Sequence, residues 1–168
     1  MKETASKNWV TKTIAILAIV AVVFYIFLNR TAIGKHIYAI GGNAEAAKLS
    51  GINIDKTIII VYTICGFMAA LGGIVQMGRV DSAFPLAGTG YELNAVASVV
   101  IGGASMKGGS GTVSGTIIGA MVIAVLNNGL NLLHVSTYAQ QIALGIVIIG
   151  AVYVDVLRER LGSKAKKN

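Results

Sequence analysis

Proline, cysteine and charged residues are scarce in this sequence. Its 168 residues include one proline and one cysteine, and only 12% of them are charged. A single cysteine excludes an internal disulfide, and the position of Cys65 inside an apolar run predicts a small buried hydrophobic residue. Soluble domains carry about 25% charged residues, so the low charge content excludes an ordinary soluble domain.

Long apolar runs take the place of the missing charge. Hydrophobic residues make up 55% of the chain, and 21 glycines accompany them. Glycine is more frequent in transmembrane helices than in soluble ones, because it lets neighbouring backbones approach closely. The runs are continuous rather than alternating, which favours helices over a β-barrel. The sequence therefore predicts an all-α integral membrane protein.

The lengths of the apolar runs predict about five transmembrane segments. A spanning helix needs about 20 residues, and four runs are long enough: residues 8–29, 57–77, 112–133 and 139–157. A fifth run, residues 93–104, is too short for an ordinary span and predicts a short, tilted or broken helix. Lysines precede the first run as in a signal peptide, but no small-residue cleavage pattern follows, so we expect an uncleaved span.

Glycine-rich strings flank the short fifth run, "PLAGTG" before it and "GGASMKGGSGTVSG" after it. Two interpretations stay open. Irregular backbone at membrane depth is tolerated where it lines a cavity, which would indicate a translocation pathway. Alternatively, the glycines permit turns and tight packing between helices.

The net charge of +7 is carried mainly by short loops and the C-terminus. That distribution favours membrane topology and anionic lipids as its explanation, and we expect no nucleic-acid partner. Five crossings would place ten of the 14 Lys and Arg residues in the cytoplasm, and four crossings give the same division. Both topologies predict a basic cytoplasmic tail over residues 158–168, but they place residues 30–56 on opposite sides.

The string "GGNAEAAKLSG", residues 41–51, interrupts the apolar pattern. Residues 44–50 are good helix formers, with Asn43 as an N-cap, Glu45 in the first turn and Gly51 as a stop. A short helix outside the bilayer is predicted. It would be either a knob that docks on another protein or a solvated connector.

Ordered strings make the sequence resemble a family. Glu45-Ala46-Ala47, three residues, then Gly51 is similar to the coupling motif of ABC importer permeases. The strings "GKHIYAIGGNAEAAKLSGIN", "GTGYELNAVASVVIGGASMKGGSGTVSGT", "LNNGLNLL" and "VYVDVLRER" resemble permeases of the ribose and galactose class of monosaccharide importers. The resemblance runs from about residue 33 to residue 160.

The resemblance implies a permease subunit in the bacterial inner membrane, with residues 30–56 as a cytoplasmic coupling loop and five crossings. Its implied partners are an ABC ATPase subunit, a second permease chain, an extracellular or periplasmic sugar-binding protein and membrane lipids. The ATPase would bind ATP and Mg²⁺, and this chain would bind no cofactor. The residues that match the coupling segment are Gly41, Gly42, Asn43, Glu45, Ala46, Ala47 and Gly51. Only the C-terminal half of a ten-span permease is matched, which implies a fragment, a split subunit or a truncated frame.

No catalytic or metal-binding pattern competes with this interpretation. Gly34-Lys35 is followed by His36 and lacks the earlier glycine of a P-loop. His36, His134 and Cys65 have no metal-ligand spacing. We therefore expect a protein that is not an enzyme. A non-conducting scaffold and a secondary carrier remain alternatives. The absence of ionisable residues from the clearest spans of this chain argues against the secondary carrier.

Polar residues at membrane depth are candidates for a translocation path or gate: Glu92, Asn94, Asn127, Asn128 and Asn131. Asn128 and Asn131 are three positions apart and are expected to share a helix face that contacts a hydroxylated ligand. The alternative is hydrogen bonding between helices, which averages about 0.6 kcal/mol.

Overall fold

The computed structural model describes residues 2–80 and 88–165, with side chains described for 10–80 and 88–157. Within these ranges every regular element is an α-helix, which confirms the predicted all-α class. The helices are α1 (Lys2–Arg30), α2 (Ala32–Gly42), α3 (Ala44–Leu49), α4 (Ile54–Val80), α5 (Tyr91–Ile101), α6 (Val113–Leu132) and α7 (Thr137–Ala165). The side chains of the predicted tail, 158–168, lie outside the described residues.

Within the part of the chain that the structure describes, four helices are long and apolar enough to cross a bilayer: Val10–Arg30 within α1, all of α4, all of α6, and Thr137–Leu157 within α7. The short apolar run is a helix of 11 residues, α5. At 1.5 Å per residue it spans about 16 Å, roughly half of a bilayer's hydrocarbon core. It begins two residues before the predicted run and ends three residues earlier, because the chain turns at Gly102.

The segment predicted as a loop, residues 30–56, is largely helical. It contains α2 as well as the single short helix that the sequence predicted. Thr31 begins α2 as an N-cap, since its hydroxyl oxygen accepts a hydrogen bond from the Gly34 amide at 3.1 Å. Asn53 caps α4 in the same way through the amide of Lys56, at 3.0 Å.

The chain divides into two compact units, Met1–Ala87 and Gly88–Asn168. In the first, α2 contacts α1, α3 and α4, while the apolar windows of α1 and α4 contain no buried residue. Cys65 on α4 is exposed, so the prediction of a buried cysteine is wrong for this chain. Its helix contacts α2 and α3.

In the second unit, α5 packs against both α6 and α7. The core is formed by Ala97, Ile123 and Leu144, one residue from each helix, with Ile101 and Ile148 beside them. The short helix α5 is therefore the element around which the two long helices of this unit are organised.

Small residues form the seam between α5 and α6. Gly102 lies against Gly115, and Ser98 lies against Gly119, so the contacts repeat every four residues along both antiparallel helices. A Cβ at Gly119 would lie 2.8 Å from the Gly102 amide nitrogen and closer still to the Ser98 carbonyl oxygen. Such close backbone approach is the means by which membrane helices gain packing energy. At this seam the glycines serve tight packing.

The glycine-rich connection between α5 and α6 is held at one end of the unit by Ser105. The Ser105 amide donates to the Ser110 carbonyl at 3.1 Å, and the Ser105 hydroxyl lies 3.2 Å from Oδ2 of Asp155 on α7. The sequence had placed Asp155 in a solvated charge cluster with Arg158 and Arg160, whose side chains lie outside the described residues. The contact places this connection beside the C-terminal part of α7, as both predicted topologies require.

Replacing Gly119 by alanine tests the seam. Gly119→Ala is expected to lower the free energy of unfolding by about 1–3 kcal/mol, because backbone of α5 stands where the new methyl would lie. The matched control is Gly129→Ala on the same helix, where no atom lies within 4 Å of an added Cβ. That control should be neutral or stabilise the chain by up to about 1 kcal/mol through helix propensity. Equal effects in micelle unfolding titrations would contradict the seam.

Candidate functional site

The coupling segment, residues 41–51, lies between two candidate spans and outside both of them. Its regular part is α3, a helix of six residues. Helices this short are marginal in isolation, since nucleation costs more than a few hydrogen bonds return. The helix must therefore be stabilised at its ends and by its neighbours.

Asn43 stabilises both helices that meet at it. Its backbone N–H donates to the Ala39 carbonyl at 3.0 Å at the end of α2. Its side-chain Oδ1 accepts from the Ala46 backbone N–H at 3.0 Å at the start of α3. Glu45 lies in the first turn, where a carboxylate is favoured by the helix dipole. The predicted short helix and its N-cap are both confirmed.

Gly51 ends α3 as the sequence predicted. Its φ of +82° is the left-handed conformation that glycine adopts without a Cβ penalty. The Gly51 amide donates to the Lys48 carbonyl, and the Ile52 amide donates to the Ala47 carbonyl, at 3.0 and 3.1 Å. These two bonds are a Schellman motif, which satisfies carbonyls that the helix end leaves without partners.

The residues of the coupling segment differ in exposure. Ala47 is 4% exposed, so its side chain supports α3 from inside the unit, whereas Glu45 and Ala46 are exposed. The sequence analysis missed Leu49, which is 90% exposed at the C-terminal end of α3. Leu49 lies outside the candidate spans along the chain. Single exposed leucines are common on protein surfaces, so the exposure of Leu49 alone does not indicate a partner.

The polar candidates in the second unit are arranged around α6. The Asn127 side-chain amide donates to Oδ1 of Asn94 on α5 at 3.1 Å, one turn beyond the core residue Ile123. Four residues further along α6, Oδ1 of Asn131 accepts from Gln140 on α7 at 2.9 Å. Gln140 also donates to the Val135 carbonyl at 2.8 Å. These amides hold α5, α6 and the start of α7 together.

The three asparagines of α6 have different surroundings. Asn127 and Asn131, four positions apart, each bond to a neighbouring helix, while Asn128 is exposed. Asn128 and Asn131 are both exposed, and their shared face for a hydroxylated ligand stays a prediction. Glu92 is exposed in the first turn of α5, where the helix dipole favours its charge.

The chain is similar to known transport permeases. A family model described as "Branched-chain amino acid transport system / permease component" matches residues 2–152. The ribose import permease protein of Escherichia coli is 53% identical over 140 residues, which are 83% of this chain and 44% of that protein.

Two relatives from Haemophilus influenzae carry other sugar names. The galactose/methyl galactoside import permease protein is 45% identical over 141 residues, 84% of this chain and 42% of that protein. The xylose transport system permease protein is 42% identical over 147 residues, 88% of this chain and 39% of that protein. The chain thus spans less than half the length of these relatives. No solved structure gives a significant match.

The bond between Asn94 and Asn127 can be measured by a double-mutant cycle with alanine. We expect a coupling energy of about 0.6 kcal/mol, and not above about 1.7 kcal/mol, since these are the average and the maximum for such bonds in membranes. The control cycle pairs Asn94 with the exposed Asn128 and should give a value near zero. A control coupling as large as the test coupling would mean that the bond is not what links the two helices.

Proposed function

This chain belongs to the family of transport-system permease components and is an integral membrane protein, and we propose that it acts as a pore-forming part of an ATP-driven monosaccharide importer. The observation that carries the proposal is the capped helix α3, which lies between two candidate spans in a chain similar to sugar-import permeases. In this proposal α3 is the coupling helix of a permease in the bacterial inner membrane.

The proposed docking surface of the coupling segment includes the exposed Glu45, Ala46 and Leu49, while Ala47 packs inward. A partner pocket that receives Leu49 gains apolar burial worth about 1.5–3 kcal/mol. Asn43, Gly51 and the end of α2 at Gly41 and Gly42 act indirectly, since they fix where α3 stands. The partner is a separate ATPase subunit, which binds ATP and Mg²⁺.

A monosaccharide is the proposed substrate because the similar permeases named above carry ribose, galactose and xylose names. The family description names branched-chain amino acids, so that class is the competing substrate. Asn127, Asn131 and Asn94 offer amides that can exchange a helix partner for a sugar hydroxyl, and the exposed Asn128 and Glu92 complete the candidate path. A translocation path must bind the sugar weakly so that the sugar can leave. Asparagines that already bond to another helix would bind it weakly, because the sugar must displace that bond.

The whole importer includes more than this chain. A second permease chain would form the other wall of the pore, and a sugar-binding protein would deliver substrate at the outer face. ATP-driven movement of α3 would then alternate access between the two sides. The relatives are more than twice as long as the matched region, which supports a division of the pore among further helices.

The side of the membrane on which α3 lies is tested by Ser50→Cys in a Cys65→Ala background. Both positions are exposed, so the engineered cysteine is reachable and the native one must be removed. An impermeant maleimide should label it in inside-out vesicles and leave it unlabelled in intact cells. Labelling in intact cells would place α3 where no cytoplasmic ATPase reaches it, and the proposal would fall.

Substrate and energy source are tested by uptake of labelled ribose, galactose, xylose and leucine in cells that lack their own permeases for these solutes. We expect uptake of a monosaccharide that stops on ATP depletion and persists when the proton gradient alone is collapsed. Leucine uptake would select the competing substrate class. Uptake that survives ATP depletion but not an uncoupler would indicate a secondary carrier, and no uptake at all would favour a scaffold.

A further inference from the structure

The corner between α1 and α2 is a feature that the sequence analysis did not use. We propose that Thr31 and Gly34 lock this corner, so that displacement of the coupling helix is passed to the first span rather than absorbed in the connection. This inference rests on the proposed function, and both residues act as positioning residues.

Thr31 is the single residue between the two helices, and its backbone is extended, with φ of −99° and ψ of 154°. Its hydroxyl donates to the Phe27 carbonyl at 2.6 Å and accepts from the Gly34 amide at 3.1 Å. The side chain therefore ties the last turn of α1 to the first turn of α2. Because the Thr31 hydroxyl bonds to both helices, the angle between α1 and α2 has little freedom to open.

Gly34 lets the two helices approach so closely. It is buried, and a Cβ there would lie 2.6 Å from the Phe27 carbonyl oxygen and closer still to the carbonyl oxygen of Leu28. Both obstacles are backbone atoms of α1, which cannot rotate away as a side chain would. An alanine at this position must widen the corner.

The connections from α3 through α2 to α1 are short. Asn43 joins α2 to α3 through one residue, and Thr31 joins α1 to α2 through one residue, so two rigid corners separate the coupling helix from the span. By contrast, residues 50–53 connect α3 to α4. Rigid elements joined by short, bonded corners are the physical means of carrying displacement between sites. The first span is therefore joined to the coupling helix through two one-residue corners.

The test uses the assembled importer, purified through this chain and reconstituted in liposomes with sugar-binding protein and a transported sugar. The variants are Gly34→Ala and Thr31→Val, and the measured quantity is sugar molecules transported per ATP hydrolysed. We expect that ratio to fall by about 2- to 30-fold, the range that mutations along coupling routes produce, while ATP hydrolysis and co-purification of the ATPase persist. Thr31→Ser, which keeps the hydroxyl, should restore the ratio.

Two matched controls separate the corner from general damage. Thr63→Val removes a similar hydroxyl bond, to the Ile59 carbonyl at 2.8 Å, but within the uninterrupted helix α4. Gly66→Ala adds a methyl where no atom lies within 4 Å of it. Both should leave the transport ratio unchanged.

A second measurement follows the geometry of the corner directly and does not depend on transport. Spin labels at Val23→Cys and Ser50→Cys, both exposed and both in the first unit, report the distance between α1 and the end of α3 in a Cys65→Ala background. Gly34→Ala should shift or broaden that distance. An unchanged distance, an unchanged transport ratio, or loss of ATP hydrolysis in parallel with transport would each overturn the proposal. If the parent importer shows no ATP-driven uptake, the proposed function fails and this inference fails with it.

Discussion

Lipid gives this chain no hydrophobic reason to hold its helices together, because a leucine is as well solvated by acyl tails as by another helix. What remains is close backbone contact and internal satisfaction of polar groups, and the second unit uses both. Gly115 and Gly119 let α6 approach the backbone of α5, and the Asn94–Asn127 bond continues the same contact one turn beyond the buried core. Without the glycines the helices would stand too far apart for the amides to meet.

The first unit solves a different problem, which is to hold a six-residue helix outside the bilayer. The junctions around it are held by hydrogen bonds through Thr31, Asn43, Gly51 and Asn53. These local bonds replace the tertiary core that a short helix would otherwise need. The buried Ala47 faces inward, and the exposed side of α3 is left for a partner.

Much of the architecture was readable from the sequence, and the reasons are specific. Apolar runs of about 20 residues leave few alternatives to spanning helices, and the Asn43, Glu45 and Gly51 signals depend only on neighbouring residues. The helix α2 was missed because its capping threonine follows directly on a long apolar helix, which masks the break. Leu49 was missed because motif matching favoured the small residues of the segment, and exposure depends on how α3 is turned. The partners of Asn127, Asn131 and Asp155 required the tertiary arrangement.

The two units also differ in how they would enter a membrane. The apolar windows of α1 and α4 are more hydropathic than those of α6 and α7 and contain no buried residue, so each can partition into lipid by itself. By contrast, α6 carries three asparagines within its last six residues, and two of them find partners only on neighbouring helices. During synthesis, α6 is therefore expected to remain near the insertion machinery until α7 emerges, because Asn131 can then form its hydrogen bond to Gln140. Biogenesis of this chain is expected to proceed span by span in its first unit and as a cooperative helical group in its second.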